Sequence, residues 1–185
     1  MKKISLLLTL LAFTGFVSAA SVTVEGQQQY GDKGAKDSVN YQVSVKESIT
    51  KDFAGDISFT NYQQDITNAL STRLELGVTG TYPVGEHAGL YTRVAFGDKY
   101  SNTGDFNYYS IEPGVTYTLG KATAKLGYRY RTAAQDPNVN LDTTDTVRAG
   151  LSYALTKKDS IGLRYDRVRG DSNNHSFNLS YTRSF

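Results

Sequence analysis

The sequence contains no cysteine and no tryptophan, and it has three prolines, two histidines and one methionine. Without cysteine there is neither a disulfide framework nor a thiolate metal site. Two histidines, His87 and His175, are the only imidazoles for acid–base chemistry. Beyond residue 20 no apolar run approaches the ~20 residues that a membrane helix needs. A net charge is also missing. Without Lys2 and Lys3 the basic and acidic residues balance at 18 each, so nothing argues for nucleic acid as a partner.

The N-terminus reads as a secretory signal. Lys2 and Lys3 form a charged start, Ile4 to Val17 is apolar with small breaks, and Val17-Ser18-Ala19-Ala20 offers cleavage after Ala19 or Ala20. The alternative, a retained anchor, meets the objection that the run is short for a spanning helix. The predicted division is a signal peptide over 1–20 and one domain over 21–185. A secreted chain without disulfides needs another source of stability, and a closed barrel in lipid supplies one.

After the leader the chain alternates apolar and polar residues in segments bounded by turn chemistry. Strands are predicted at Val22–Tyr30, Val39–Lys46, Phe53–Tyr62, Asn68–Tyr82, Ala88–Phe96, Phe106–Leu119, Ala122–Arg131, Thr144–Leu155 and Ser160–Val168, with a last strand from His175 to Phe185. The connections alternate in character. Compact turns such as Pro83-Val84-Gly85-Glu86 and Gly120-Lys121 are interleaved with longer stretches such as Gly31–Asp37, Gly97–Asp105 and Ala133–Thr143. That asymmetry fits an all-β, closed, antiparallel, up-and-down transmembrane barrel of about ten strands, with eight or twelve as the alternatives. Both termini and the compact turns are expected at the periplasmic side of a bacterial outer membrane. Pro113 removes a ladder bond in mid-strand, so a bulge or local edge is expected there.

Alternation does not reveal its own sign. A lipocalin-like soluble barrel turns its apolar residues inward, and a membrane barrel turns them outward. The aromatics of the apolar face decide for the second. Phe53, Tyr82, Tyr117, Tyr153, Tyr181 and Phe185 fall at one edge, and Tyr30, Tyr41, Phe96, Tyr109, Tyr130 and Tyr165 fall towards the other. Amphipathic rings favour those two depths, whereas ordinary β-propensity explains abundance but not the levels.

The polar face then lines a lumen. Its acids are Glu25, Asp56, Glu75, Glu112 and Asp166, and its bases are Lys46, Arg73, Arg93, Lys125, Arg129, Arg131, Arg148 and Arg164. The basic excess gathers on strands seven to nine. A basic wall facing an acidic one attracts and steers anions. The competing expectation is a small barrel whose opposed charges form a salt-bridged plug.

Phe177, Leu179, Tyr181 and Phe185 share one face of the last strand, and the chain stops on an aromatic residue. That ending resembles the terminal strand of bacterial outer-membrane β-barrel proteins, which implies periplasmic chaperones and the barrel-assembly machinery as partners during biogenesis. Arg183 departs from it, standing where that signal usually has an apolar residue. Ile111-Glu112-Pro113-Gly114 with Tyr117, and Tyr128-Arg129-Tyr130-Arg131, resemble the small monomeric porins specific for acidic oligosaccharides, the oligogalacturonate-channel family. The likeness covers about 25 residues, and it implies an arginine-lined lumen at Arg129 and Arg131. That family has twelve strands, more than this length accommodates with loops.

Enzymatic chemistry is not expected. Lipid A deacylases place a serine two residues after their histidine, but after His175 that position is Phe177, and Ser176 points to the opposite face. Arg169-Gly170-Asp171 matches an integrin-recognition tripeptide, although its surroundings are ordinary turn composition. Asp136, Asp142 and Asp145 make one loop acidic and suggest divalent cations, against the simpler reading of solvated loop charges. The expected role is a small passive channel for polar or anionic solutes, without cofactor or metal, in contact with outer-membrane lipid and lipopolysaccharide. The alternative is a non-conducting structural or surface-attachment barrel with a filled lumen.

Overall fold

The computed structural model describes residues 20–31, 36–64, 70–101, 105–134 and 143–185. The predicted leader, apart from Ala20, and Asp136 and Asp142 lie outside them. The described residues form ten strands: β1 (Ala20–Gly31), β2 (Lys36–Ser48), β3 (Phe53–Gln64), β4 (Leu70–Pro83), β5 (Ala88–Ser101), β6 (Phe106–Leu119), β7 (Ala122–Ala133), β8 (Thr144–Ala154), β9 (Asp159–Gly170) and β10 (Asn174–Ser184). Each strand pairs antiparallel with its chain neighbours, and β1 pairs with β10 from Ser21↔Ser184 to Gly31↔Asn174. The barrel is therefore closed, and among the described residues no strand stands at the edge of a sheet.

The faces follow the inverted sign. Large apolar side chains are exposed on the outside, with Leu163 at 63 % and Leu179 at 61 % accessibility. The buried side chains are mostly polar or charged, among them Glu25, Asn40, Glu75, Glu112, Arg129 and Asp166. Because the period is two, one choice of register commits every strand to this arrangement.

One end of the barrel carries Ala20, Phe185 and the short turns at 49–52, 84–87, 120–121 and 155–158; we call it the turn end, and the opposite one the loop end. The turns are built from local hydrogen bonds. The Thr50 hydroxyl accepts from the backbone N–H groups of Asp52 and Phe53, and Thr156 does the same for Lys158 and Asp159. Gly85 and Gly120 take the positive φ that these tight reversals require.

One expectation is corrected, and one is narrowed to one of its alternatives. The stretch after Phe96 is not loop: β5 continues to Ser101, because Gly97, Asp98 and Lys99 pair with β4 and β6 and keep the alternation. Of the two expectations at Pro113, the structure has the local edge and not the bulge. Pairing between β6 and β7 reaches Ile111↔Tyr130 and resumes at Gly114↔Gly127, leaving Glu112 and Pro113 out of the ladder without a register change. Losing one donor interrupts the ladder, but it does not require an extra residue.

Candidate functional site

The inward frame of the strands brings the predicted lumen residues together. Lys46 stands across from Asp56 in register near the turn end, where it is exposed. Apart from Lys125 the others are more buried, and most of those with described ion pairs reach past the adjacent strand. Glu75 on β4 is a hub. It accepts from Arg93 Nη1 on β5 at 2.6 Å, from Arg129 Nη2 on β7 at 2.5 Å and from the Tyr108 hydroxyl on β6 at 2.8 Å. Arg93 turns its remaining donors on Asp56 of β3, with Nε to Oδ1 at 3.0 Å and Nη2 to Oδ2 at 2.5 Å, a fork on a carboxylate.

Glu112 on β6 is a second hub. It accepts from Arg148 Nη1 at 2.7 Å and the Tyr91 hydroxyl at 2.9 Å, and Lys125 Nζ lies 3.6 Å away. Arg164 on β9 makes the third junction. Its Nε donates to Asp166 at 2.9 Å and its Nη2 to Glu25 on β1 at 2.8 Å. The basic and acidic side chains thus bond to one another past one or two intervening strands inside the barrel, instead of facing each other over open water. Glu112, 2 % exposed, and Glu75, 5 % exposed, are charges that low dielectric would penalise heavily without these partners.

Above this layer, towards the loop end, lies a cavity of about 370 Å³. Arg73, Lys99, Arg129, Arg131, Arg148 and Arg164 line it, against one lining acid, Asp166. The guanidinium carbons of Arg73 and Arg131 lie 5.4 and 5.3 Å from the Tyr108 ring centroid, and that of Arg73 also lies 4.9 Å from the Tyr62 ring. Such stacking holds cationic groups at the wall by their faces.

Two inward tyrosines complete the layer, beyond the charged residues expected there. Tyr108 is fully buried and Tyr91 is 4 % exposed. Their ring sites are made by glycine: Tyr91 pairs with Gly114, and Tyr108 with Gly97. A Cβ at Gly97, Gly114 or Gly127 would press into one of these rings. The available signal was parity, since Tyr91 shares its frame with Arg93, and Tyr108 shares its own with Glu112.

The twelve aromatics assigned to the outer face lie there, together with Tyr100 and Tyr128, which the reading omitted. Phe177, Leu179, Tyr181 and Phe185 are all exposed on that face. Arg183 is compensated locally: it donates to Asp159 at 3.3 Å, and the Tyr181 hydroxyl donates to the same carboxylate oxygen at 2.6 Å. His87 is exposed in a turn beside Tyr117. His175 stacks on Tyr30 outside, while Ser176 is buried inside and accepts from Gln27. In the Arg169-Gly170-Asp171 tripeptide, Gly170 takes φ of 109°, and the Asp171 carboxylate accepts from the Thr143 N–H at 2.8 Å. Glycine and aspartate there close the end of the β8–β9 hairpin.

No protein-family model matches the sequence, and no curated protein matches it. Solved structures do match. The NanC porin superposes with a TM-score of 0.60 at 12 % identity, over 89 % of this chain and 100 % of that one. The fold is a closed β-barrel of the kind seen in outer-membrane porins. The COG4313 outer membrane channel from Pseudomonas putida F1 superposes with a TM-score of 0.57 at 12 % identity, over 91 % and 96 % of the two chains. The KdgM porin, in a structure described as a complex with disordered oligogalacturonate, gives 0.53 at 13 % identity over 89 % and 99 %. This barrel therefore shares its architecture with those proteins at identities that speak only to fold.

Proposed function

We propose that the chain is an integral outer-membrane protein acting as a small passive channel for polar or anionic solutes, and not as an enzyme. The observation that carries this reading is the basic cavity at the loop end, whose floor is the layer of ion pairs. Its guanidinium groups attract anions and offer paired N–H donors to carboxylates or phosphates. The porin fold, and the presence of oligogalacturonate in one structure that shares it, support passage of solutes of this charge. Glu75 and Glu112 are occupied by arginines, lysine and tyrosines, which supports electrostatic roles for them over acid–base catalysis.

A second reading has its own observation. The links Arg129–Glu75, Arg148–Glu112 and Arg164–Glu25 reach past one or two intervening strands inside the barrel, which favours a filled, non-conducting lumen. Planar-bilayer recording on the refolded protein separates the two. Discrete openings with an anion-selective reversal potential support the channel, and an Arg129→Glu, Arg148→Glu double variant is expected to lose that selectivity. A silent bilayer from protein shown to be folded by heat-modifiable gel mobility would sink the channel and leave the filled barrel.

A further inference from the structure

Chemistry on the outside of β9 and β10 is ordered along the barrel axis. From the loop end downward, the outward residues of β9 run Arg169, Arg167, Tyr165, Leu163, Ile161, and those of β10 run His175, Phe177, Leu179, Tyr181. Arg167 pairs in register with His175, and Tyr165 with Phe177. The rings form one cluster: Tyr165 and Phe177 have centroids 5.2 Å apart, and His175 lies 5.5 Å from Tyr30 and 6.2 Å from Tyr165. Cation above aromatic above aliphatic is the order in which a bilayer presents headgroup, interface and acyl chain.

We infer that Arg167 and Arg169, with the aromatic shelf beneath them, bind the phosphate of an anionic membrane lipid whose acyl chains lie along Leu163 and Leu179. The patch is local. Among the described outward residues at the loop end, β5 contributes Asp98 and β8 contributes Asp145, and arginines occur on β9 alone. Asp145 faces Arg169 in register, and it accepts from the Tyr128 hydroxyl at 2.5 Å. Arg167 has a partner within the protein. A guanidinium carries five N–H donors in a fork, so an intramolecular partner leaves donors for a phosphate. The inference rests on the membrane reading of the chain, but not on whether its lumen conducts.

The test uses the full chain refolded in neutral detergent micelles and titrated with phosphorylated lipid A, with the same lipid stripped of phosphate, and with inorganic phosphate. The readouts are lipid retention in native mass spectrometry and the temperature at which the compact gel band is lost. The phosphorylated lipid is expected to be retained and to raise that temperature, and the other two ligands are not. An Arg167→Gln, Arg169→Gln variant is expected to bind the phosphorylated lipid about 30-fold more weakly while keeping its compact band and its bilayer conductance. An Arg167→Lys, Arg169→Lys variant is expected to lose less, since it keeps the charge without the fork. Equal retention by the folded Gln variant would overturn the site. So would equal retention of the dephosphorylated lipid, or the same temperature rise with inorganic phosphate. A chain that yields no compact band in any micelle would overturn the membrane reading, and the site with it.

Discussion

Glu75 concentrates the electrostatics of the lumen, because Arg93, Arg129 and Tyr108 all donate to its two oxygens. Glu75→Gln keeps the shape and removes the charge, stranding Arg129 in a site where it is 6 % exposed. Breaking a buried pair from one side costs about 3–5 kcal/mol, and urea unfolding in vesicles is expected to show a loss of about that size. Adding Arg129→Gln to Glu75→Gln is expected to recover part of it, because neither charge is then orphaned. Strictly additive losses would mean that the pair contributes nothing as a pair. Tyr108→Phe removes only a hydroxyl and is expected to cost about 1–2 kcal/mol by the same measurement. At this scale the sequence was half legible. Parity gives the face of Glu75, Arg93 and Arg129, but not that Glu75 reaches Arg129, 54 positions away, as well as Arg93 on the adjacent strand.

Glycines set the packing between elements. Tyr91 lies over Gly114 of β6 and Gly127 of β7, and a Cβ at Gly114 would also meet the Leu126 carbonyl oxygen. Gly114→Ala is therefore expected to destabilise the barrel by about 1–3 kcal/mol through overpacking. Gly26 has nothing within 4 Å of its Cβ position, so Gly26→Ala is expected to be near neutral in the same unfolding series. A reversed order of the two variants would refute the niche account. At the turn end, Asp159→Ala removes the partner of Arg183 and Tyr181. An uncompensated arginine near the membrane interface costs about 1 kcal/mol or less. The expected outcome is a modest drop in refolding yield into vesicles, relieved when Arg183→Ala is added. The strands themselves were legible because each carries a period of two. The end of β5 was not, since Gly97, Asp98 and Lys99 read as turn chemistry until pairing on both sides supplies their hydrogen bonds.

At the scale of the described barrel, the charge of the lumen is asymmetric along the axis. The cavity is basic at the loop end, and ion pairs neutralise the layer beneath it. A fixed positive field in a wet vestibule is screened by salt, since the Debye length falls from about 10 Å at 0.1 M to about 3 Å at 1 M. The anion preference read from reversal potentials is therefore expected to shrink over that range. A preference independent of salt would place the selectivity in the constriction instead of in the vestibule.

The sequence by itself determined that the chain is an antiparallel barrel of about ten strands, which residues share a face, and that the apolar face is the outer one. These follow from local properties: the pleat alternates side chains, turn residues bound the strands, and aromatic rings sort by depth. Only the tertiary structure decided what the inward charges do. Glu25 and Arg164 are 139 residues apart in sequence, and it is closure of β1 against β10 that brings them within reach. Whether two walls of opposite charge stand apart or lock together depends on the barrel's radius and on the strand each side chain faces across it. No pattern of period two encodes those distances, so the ion-paired layer and the basic cavity above it emerge only when the barrel closes.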